Sequence, residues 1–406
     1  MNKIVLVNYM KALIPLLAVT FGLLNSPLGF YGFSEYSPRP KFWDLGGGIN
    51  IMWPCFKNVG LGMFTLDVTT YPDISGCRNH TYGYFAAFSF GLQHILNSSV
   101  AFWGTVHILV FFLIVTKIYF LKDSTSNLLS NILGLFSPGI FLLMASGNMD
   151  LQIVYMLLIA SICIATKKEK SALTLIFFAS LLKFYALPVL FLTLLVLKRK
   201  TSQVYGFFLA LSAVSIILYQ MIRTPLVSFP DGAQNKFGMG IMDNYIRVLG
   251  FAMSPLQGQV IGMVALVFAF LTIAYCYKKF TSVKFDYLTE LTIKQKMLYA
   301  SFMLMSSASI ACYIPALNVD YRLTFVALSG MALFKLPQVR VKYATSLFPY
   351  IWLTSIWIVF PFAGLKQYIG IDLQPVGDIA MIGTIAYFAF QLVFAIKQIR
   401  RSSFLY

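Results

Sequence analysis

Long apolar runs, each followed by a short polar segment, recur along the whole chain. Most of them have about 20 residues, the length that an α-helix needs to cross the hydrocarbon core of a bilayer. We predict membrane-spanning helices at 12–32, 99–119, 126–145, 150–166, 203–221, 258–276, 297–316, 321–334, 343–363 and 379–396. The pattern therefore predicts an all-α, polytopic integral membrane protein with about ten spans.

The apolar run at 171–197 differs from the others because lysine-rich segments flank it on both sides, KKEK before it and LKRK after it. If both flanks are cytoplasmic, each arm has only about 13 residues, fewer than the roughly 20 of a full crossing. We therefore predict a helical hairpin that turns inside the membrane. Lys183 lies near its apex, and we expect Pro188 to break the second arm.

Composition supports a single membrane domain over residues 1–406. Hydrophobic residues make up 59% of the chain and charged residues 11%, less than half of the roughly 25% typical of soluble domains. Two outer loops, 33–98 and 222–257, are long enough to cover a site. Within the first loop, 84–98 is apolar but too short to span, so we predict a helix in the membrane interface.

The net charge of +17 could suggest a nucleic-acid partner, but in membrane proteins basic residues mark the cytoplasmic side. With a cytoplasmic N-terminus, the predicted spans place most Lys and Arg residues inside and most acidic residues outside. We therefore predict a multi-pass protein of the cell inner (plasma) membrane, with both termini cytoplasmic and no nucleic-acid partner. Lys3 and Lys11 precede the first span without a small-residue cleavage site, which indicates an uncleaved anchor.

The cysteines and histidines carry no metal-binding spacing. Cys55 and Cys77 both fall in the first outer loop, where they could form a disulfide or stay reduced, and the sequence leaves both states open. We expect no cofactor. A divalent cation at the outer acidic residues is compatible with the sequence, but no motif supports one.

Two short polar motifs interrupt the apolar runs. In SGNMDLQ, Asp150 falls at the start of a helix, where a capping role explains it, and Asn148 offers an amide suited to hydroxyl-rich ligands. In LLKFYALP, Lys183 costs about 2.5 kcal/mol in lipid unless it is paired or faces a wet cavity. It therefore either reaches an interface or a structural acid, or helps to hold an anion such as a lipid phosphate.

The third motif, LNVDYRLTF, places Asp320 and Arg322 at an outer mouth. Arg322 could form a structural ion pair with Asp320 or with Asp150. Its planar guanidinium also suits bidentate phosphate binding. Together with Lys183 and with Arg223 at the end of the 203–221 span, it could hold a phosphate or diphosphate in the outer leaflet.

Taken together, FWDLGGGINIMWPCFKNVG, SGNMDL, LLKFYALP and NVDYRLTF, in this order over roughly 40–390, resemble the GT-C superfamily of membrane glycosyltransferases. The branch that the chain resembles is glycosyltransferase family 87, whose members use polyprenyl-phosphate sugars. The resemblance implies that Asp44 is the general base. It also implies that Asn148 and Asp150 line the acceptor or sugar site. Lys183, Tyr185 and Arg322 would form the lipid-phosphate side, with Asp320 and Tyr321 in the same substrate-binding set.

The implied reaction is an inverting transfer of a hexose, with mannose as one candidate, from a polyprenyl-phosphate donor to a lipid or glycan acceptor at the outer face. Such a transfer needs a base near the acceptor hydroxyl and cations that stabilise the departing phosphate. Asp67 and Asp73 in the same loop are rivals of Asp44 for the base, and His80 is a weaker candidate.

Two other functions stay open at this point. A transporter or flippase of lipid-linked sugars would also need intramembrane Lys and Arg, but repeated halves with interrupted helices are expected there, and the sequence shows a single hairpin. A polymerase of lipid-linked oligosaccharide repeat units performs related chemistry. Such enzymes usually have their large outer loop late in the chain, whereas here the larger loop comes first.

Overall fold

The computed structural model describes residues 3–25, 45, 49, 53, 84–120, 128–197, 199–223, 255–280, 291–313, 323–336, 344–358 and 374–401. Within these segments the chain forms helices and turns and no strand. The all-α prediction is therefore confirmed for the described part of the chain.

The α-helices follow one another along the chain with short breaks. They are α1 (Lys3–Asn25), α2 (Tyr84–Leu96), α3 (Val100–Val115), α4 (Leu128–Leu135), α5 (Pro138–Ser146), α6 (Asp150–Ala165), α7 (Glu169–Leu182), α8 (Leu187–Val196), α9 (Lys200–Arg223), α10 (Pro255–Phe280), α11 (Ile293–Tyr313), α12 (Leu323–Leu333), α13 (Ala344–Trp357) and α14 (Gln374–Arg401). A π-helical segment, Thr116–Phe120, continues α3, and a 3-10 turn, Phe184–Ala186, joins α7 to α8.

The predicted spans coincide with helices, with one exception. The predicted continuous span 126–145 is two helices, α4 and α5, separated at Phe136 and Ser137. Ser137 is extended (φ −61°, ψ 149°) and Pro138 takes the start of α5. A residue before proline is pushed out of the helical region, and proline is favoured at the first helical position, so the Ser-Pro pair ends one helix and begins the next.

The predicted hairpin is present as α7 and α8, which pack against each other and against α9. The arms have 14 and 10 residues, or about 21 and 15 Å, so each is shorter than the ~30 Å hydrocarbon core. The expectation that Pro188 breaks the second arm is wrong. Pro188 lies in the first turn of α8, where its missing N–H costs no hydrogen bond.

Three helical segments are long and apolar enough to cross a membrane: Val100–Phe120, Lys200–Leu218 and Val376–Lys397. A fourth arises if α5 and α6, which are bent by 113° at their junction, are counted as one broken span. Several helices could thus span a membrane, in keeping with a membrane-associated protein.

Helix α11 forms the centre of the described bundle and packs against α6, α12 and α14. Its serines are buried, and their hydroxyls bond back to carbonyls one turn earlier, such as Ser306 to Phe302 and Ser309 to Met305. Small side chains satisfied in this way let neighbouring helices approach closely. The bundle therefore holds α6 and the α7–α8 hairpin firmly beside one another.

The outward faces of the bundle are apolar. On α10, Val264, Phe268 and Leu271 are spaced four and three residues apart and are 58–72% exposed. On α9, Phe207 and Phe208 are each 61% exposed. Soluble proteins rarely expose contiguous apolar surface of this extent, whereas helices surrounded by lipid tails do.

Candidate functional site

The turn between α5 and α6 presents the first part of the site. Gly147 ends α5 in the left-handed conformation (φ 63°, ψ 28°), which glycine adopts without steric cost. The Asn148 side-chain oxygen then accepts a 2.9 Å hydrogen bond from the Asp150 backbone N–H. Asp150 lies in the first turn of α6, as predicted, where the helix dipole favours a carboxylate.

The apex of the α7–α8 hairpin presents the second part. Helix α7 ends at Leu182, and Lys183 is extended (φ −150°, ψ 134°), which directs the chain into the 3-10 turn. The Lys183 Nζ lies 2.7 Å from Asp150 Oδ1 and donates to Asn148 Oδ1 at 3.3 Å. Of the alternatives that the sequence left open for Lys183, the described residues show pairing with an acid, Asp150.

Tyr185 completes this group from the 3-10 turn. Its hydroxyl donates to Asp150 Oδ1 at 2.7 Å, and its ring meets the edge of Phe325 on α12 with centroids 5.5 Å apart. We call Asn148, Asp150, Lys183 and Tyr185 the Asp150 cluster. Two motifs that are 35 residues apart in the sequence thus meet in direct hydrogen-bond contact.

The Asp150 cluster is buried and carries one charge of each sign. Asp150 is fully buried, Asn148 is 2% exposed and Lys183 is 8% exposed. A carboxylate can accept hydrogen bonds from hydroxyls, and an ammonium carries three donors for an anion. A ligand with hydroxyl and phosphate groups a few ångströms apart would therefore find a matching acceptor and donor side by side.

A second polar group, which the sequence analysis missed, lies between α2, α3 and α6. Ser89 donates to Gln152 Oε1 at 3.0 Å, Gln152 Nε2 lies 3.4 Å from His107 Nε2, and the Tyr155 hydroxyl lies 3.3 Å from His107 Nδ1. We call these residues, with Gln93, whose amide donates to Ser89, the His107 network. Its members are uncharged single polar residues inside apolar runs, so no sequence pattern connected them.

The remaining predicted site residues lie outside the described residues. These are Asp44, Asp320, Tyr321 and Arg322, together with the rival acids Asp67 and Asp73, His80, and the cysteines Cys55 and Cys77. Arg223 ends α9, but its side chain is not among those described. Within the described segments, no group of three His, Cys, Asp or Glu side chains could hold a metal ion.

No protein-family model, curated protein or solved structure matches this chain, so the resemblance to the GT-C superfamily stays a prediction that rests on the four sequence motifs.

Proposed function

We propose that the chain is a polytopic membrane protein of about ten spans with a GT-C-like fold, acting as an inverting glycosyltransferase. It transfers a hexose from a polyprenyl-phosphate donor to a lipid or glycan acceptor at the outer face of the membrane. The observation that supports this function best is the Asp150 cluster. There the sugar-side pair, Asn148 and Asp150, contacts the phosphate-side pair, Lys183 and Tyr185.

The depth of the cluster suits a lipid-linked substrate. The basic residues 167–170 flank the start of α7, and α7 covers about 21 Å before it reaches Lys183. In a hydrocarbon core of ~30 Å, the cluster then lies roughly 9 Å below the opposite surface. With the predicted orientation this depth is in the outer leaflet, where the phosphate of a polyprenyl lipid can reach it.

The proposed chemistry assigns one task to each group. Asp44 takes the proton of the acceptor hydroxyl as its oxygen forms a bond to the anomeric carbon, and the bond from that carbon to the phosphate oxygen breaks on the opposite face. The departing phosphate gains the negative charge, which Lys183 and Arg322 stabilise. Asp150 and Asn148 hold sugar hydroxyls, and Tyr185 orients the Asp150 carboxylate.

The test uses purified protein in lipid vesicles, radiolabelled polyprenyl-phosphate sugars and candidate lipid acceptors. The parent protein should form a labelled product, Asp44→Asn should form none, and Lys183→Met should be slower by about 10²–10³-fold. Lys335→Met is the matched control, because Lys335 is also 8% exposed and donates to the Tyr119 carbonyl instead. Equal transfer by Lys183→Met and the parent would remove the cluster from the reaction.

One structural observation favours a second candidate, the transporter or flippase. Helices α5 and α6 form a sharply bent pair, and α7 and α8 form another interrupted pair. The two breaks meet at the Asp150 cluster, as substrate sites do between broken helices of transporters. Movement of lipid-linked sugar across sealed vesicles without covalent transfer would favour this function, and a product with many repeat units would favour the polymerase.

A further inference from the structure

Helix α2 has its polarity reversed relative to a helix that faces water. Its exposed side chains are Phe88, Leu92, Ile95 and Leu96, which are 55–69% exposed and lie four, three and one residues apart on one face. Its polar residues Ser89 and Gln93 point toward the bundle, where Gln93 is 6% exposed. An amphipathic helix on an aqueous surface has the opposite arrangement.

The inward face of α2 is held by hydrogen bonds rather than by water. Ser89 bonds to Gln152 on α6, and Gln152 lies within hydrogen-bond distance of His107 on α3. At the N-terminal end, Phe85 stacks on Phe178 of α7 with ring centroids 5.0 Å apart. Contacts with α3, α6 and α7 therefore fix α2 along its length.

The C-terminal end of α2 is also satisfied from within the protein. The last carbonyls of a helix have no partner inside that helix. Here the Trp103 indole N–H donates to the Gln93 carbonyl at 2.9 Å and to the Asn97 carbonyl at 2.7 Å. Internal satisfaction of backbone groups is what a lipid environment requires.

The contacts of α2 give its depth along α3. Trp103 lies about 5 Å from the start of α3 and His107 about 10 Å, at 1.5 Å per residue. Gln152 therefore lies at a depth of about 10 Å, and Asp150, two residues nearer the helix start, at about 7 Å. Phe178 precedes Lys183, the partner of Asp150, by five residues, so the Phe85–Phe178 contact lies about 15 Å deep.

We infer that α2 is a half-membrane helix that descends from the surface where α3 begins to about the bilayer midplane. Lipid acyl chains cover Phe88, Leu92, Ile95 and Leu96, and the His107 network closes the opposite face. The inference replaces the expectation of a helix lying flat in the interface. It uses no step of the proposed transfer reaction, and it holds whichever side of the membrane is cytoplasmic.

The test labels the full chain in phosphatidylcholine–phosphatidylglycerol vesicles with phospholipids that carry a photoactivatable diazirine. One probe has the diazirine at the end of an acyl chain and the other has it next to the headgroup, and mass spectrometry locates the labelled residues. The deep probe should label Phe88 as it labels Phe268, near the middle of α10. The shallow probe should label Leu96 more than the deep probe does.

Labelling of all four residues by the shallow probe alone would overturn the inference, because α2 would then lie flat. Labelling by neither probe would also overturn it, because protein would then cover the face. In a chain with Ser89→Ala and Gln152→Leu, deep labelling of Phe88 should fall while labelling of Phe268 stays unchanged. If Phe88 keeps its deep label, the His107 network does not hold α2 in place. None of these readouts depends on glycosyl transfer.

Discussion

The ion pair between Lys183 and Asp150 is an expensive way to stabilise a fold. Both side chains are removed from solvent, and in a low-dielectric interior the attraction between two charges barely repays their lost hydration. Apolar replacement of both partners in such pairs is often neutral, whereas removal of one partner leaves an uncompensated charge. A pair of this kind in an apolar bundle is better explained by the binding of a polar ligand than by stability.

Single neutralisation of Lys183 should therefore destabilise the protein strongly. We expect Lys183→Met to lower the free energy of unfolding by about 3–5 kcal/mol, because Asp150 is left buried without its cation. Adding Asp150→Asn should recover most of the loss. Denaturant unfolding in mixed micelles measures both variants, and a double variant as unstable as the single one would contradict this explanation.

The hydroxyl of Tyr185 should matter more than that of Tyr155. Tyr185 donates to a carboxylate at 2.7 Å, and hydrogen bonds to charged groups contribute about 1.5–3 kcal/mol. Tyr155 contacts the His107 imidazole at 3.3 Å, and bonds between neutral groups contribute about 0.5–1.5 kcal/mol. Unfolding free energies of Tyr185→Phe and Tyr155→Phe should rank in this order, and the reverse order would count against a charged Asp150.

At the scale of the elements, α12 and α13 approach closely through a glycine. A Cβ on Gly330 would lie 2.2 Å from the ring of Trp352, which is fully buried and donates its indole N–H to the Val326 carbonyl at 3.1 Å. The ring is rigid and held in place. An added methyl group must therefore push the two helices apart.

Gly330→Ala should lower the free energy of unfolding by about 1–3 kcal/mol, the usual cost of overpacking a core. Gly383→Ala on α14 is the matched control, because its Cβ would meet only Ile351 at an ordinary 3.8 Å. That variant should be neutral or slightly stabilising, because alanine is the better helix former. Equal thermal unfolding of the two variants would show that Trp352 yields without cost.

Hydrophobic periodicity predicted the helices well because each apolar run is long and bounded by charges. It did not locate the break at Ser137 and Pro138, although the Ser-Pro pair carried that signal. For the site, the sequence marked Asp150 and Lys183 as costly side chains, but several acids were possible partners for Lys183. Which acid pairs with it depends on how α6 packs against α7, and no local pattern encodes that packing.

For the whole molecule, the distribution of charge and the connections between helices predict one topology. The turn 97–99 between α2 and α3 should lie outside, and the turn 166–168 between α6 and α7, with Lys167 and Lys168, should lie inside. Alkaline phosphatase fused after Ser98 should be active, and a fluorescent protein fused after Lys168 should fluoresce. The opposite result at both positions would invert the orientation and move the Asp150 cluster to the inner leaflet.

The polar interior and the apolar exterior belong to one arrangement. The Asp150 cluster and the His107 network lie on different sides of α6 near its N-terminal end, while the outward faces of α9 and α10 are apolar. Two helix interruptions bring charged groups together within an otherwise apolar bundle. The account depends on those groups serving a ligand rather than the fold alone.

The double variant Lys183→Met/Asp150→Asn separates these two roles most directly. It removes both charges together, so a purely structural pair should leave a folded protein with unchanged activity. We predict a variant that is monodisperse and unfolds close to the parent temperature, yet transfers radiolabelled sugar from polyprenyl phosphate at least about 100-fold more slowly than the parent. Parent-like transfer by this folded variant would contradict the account.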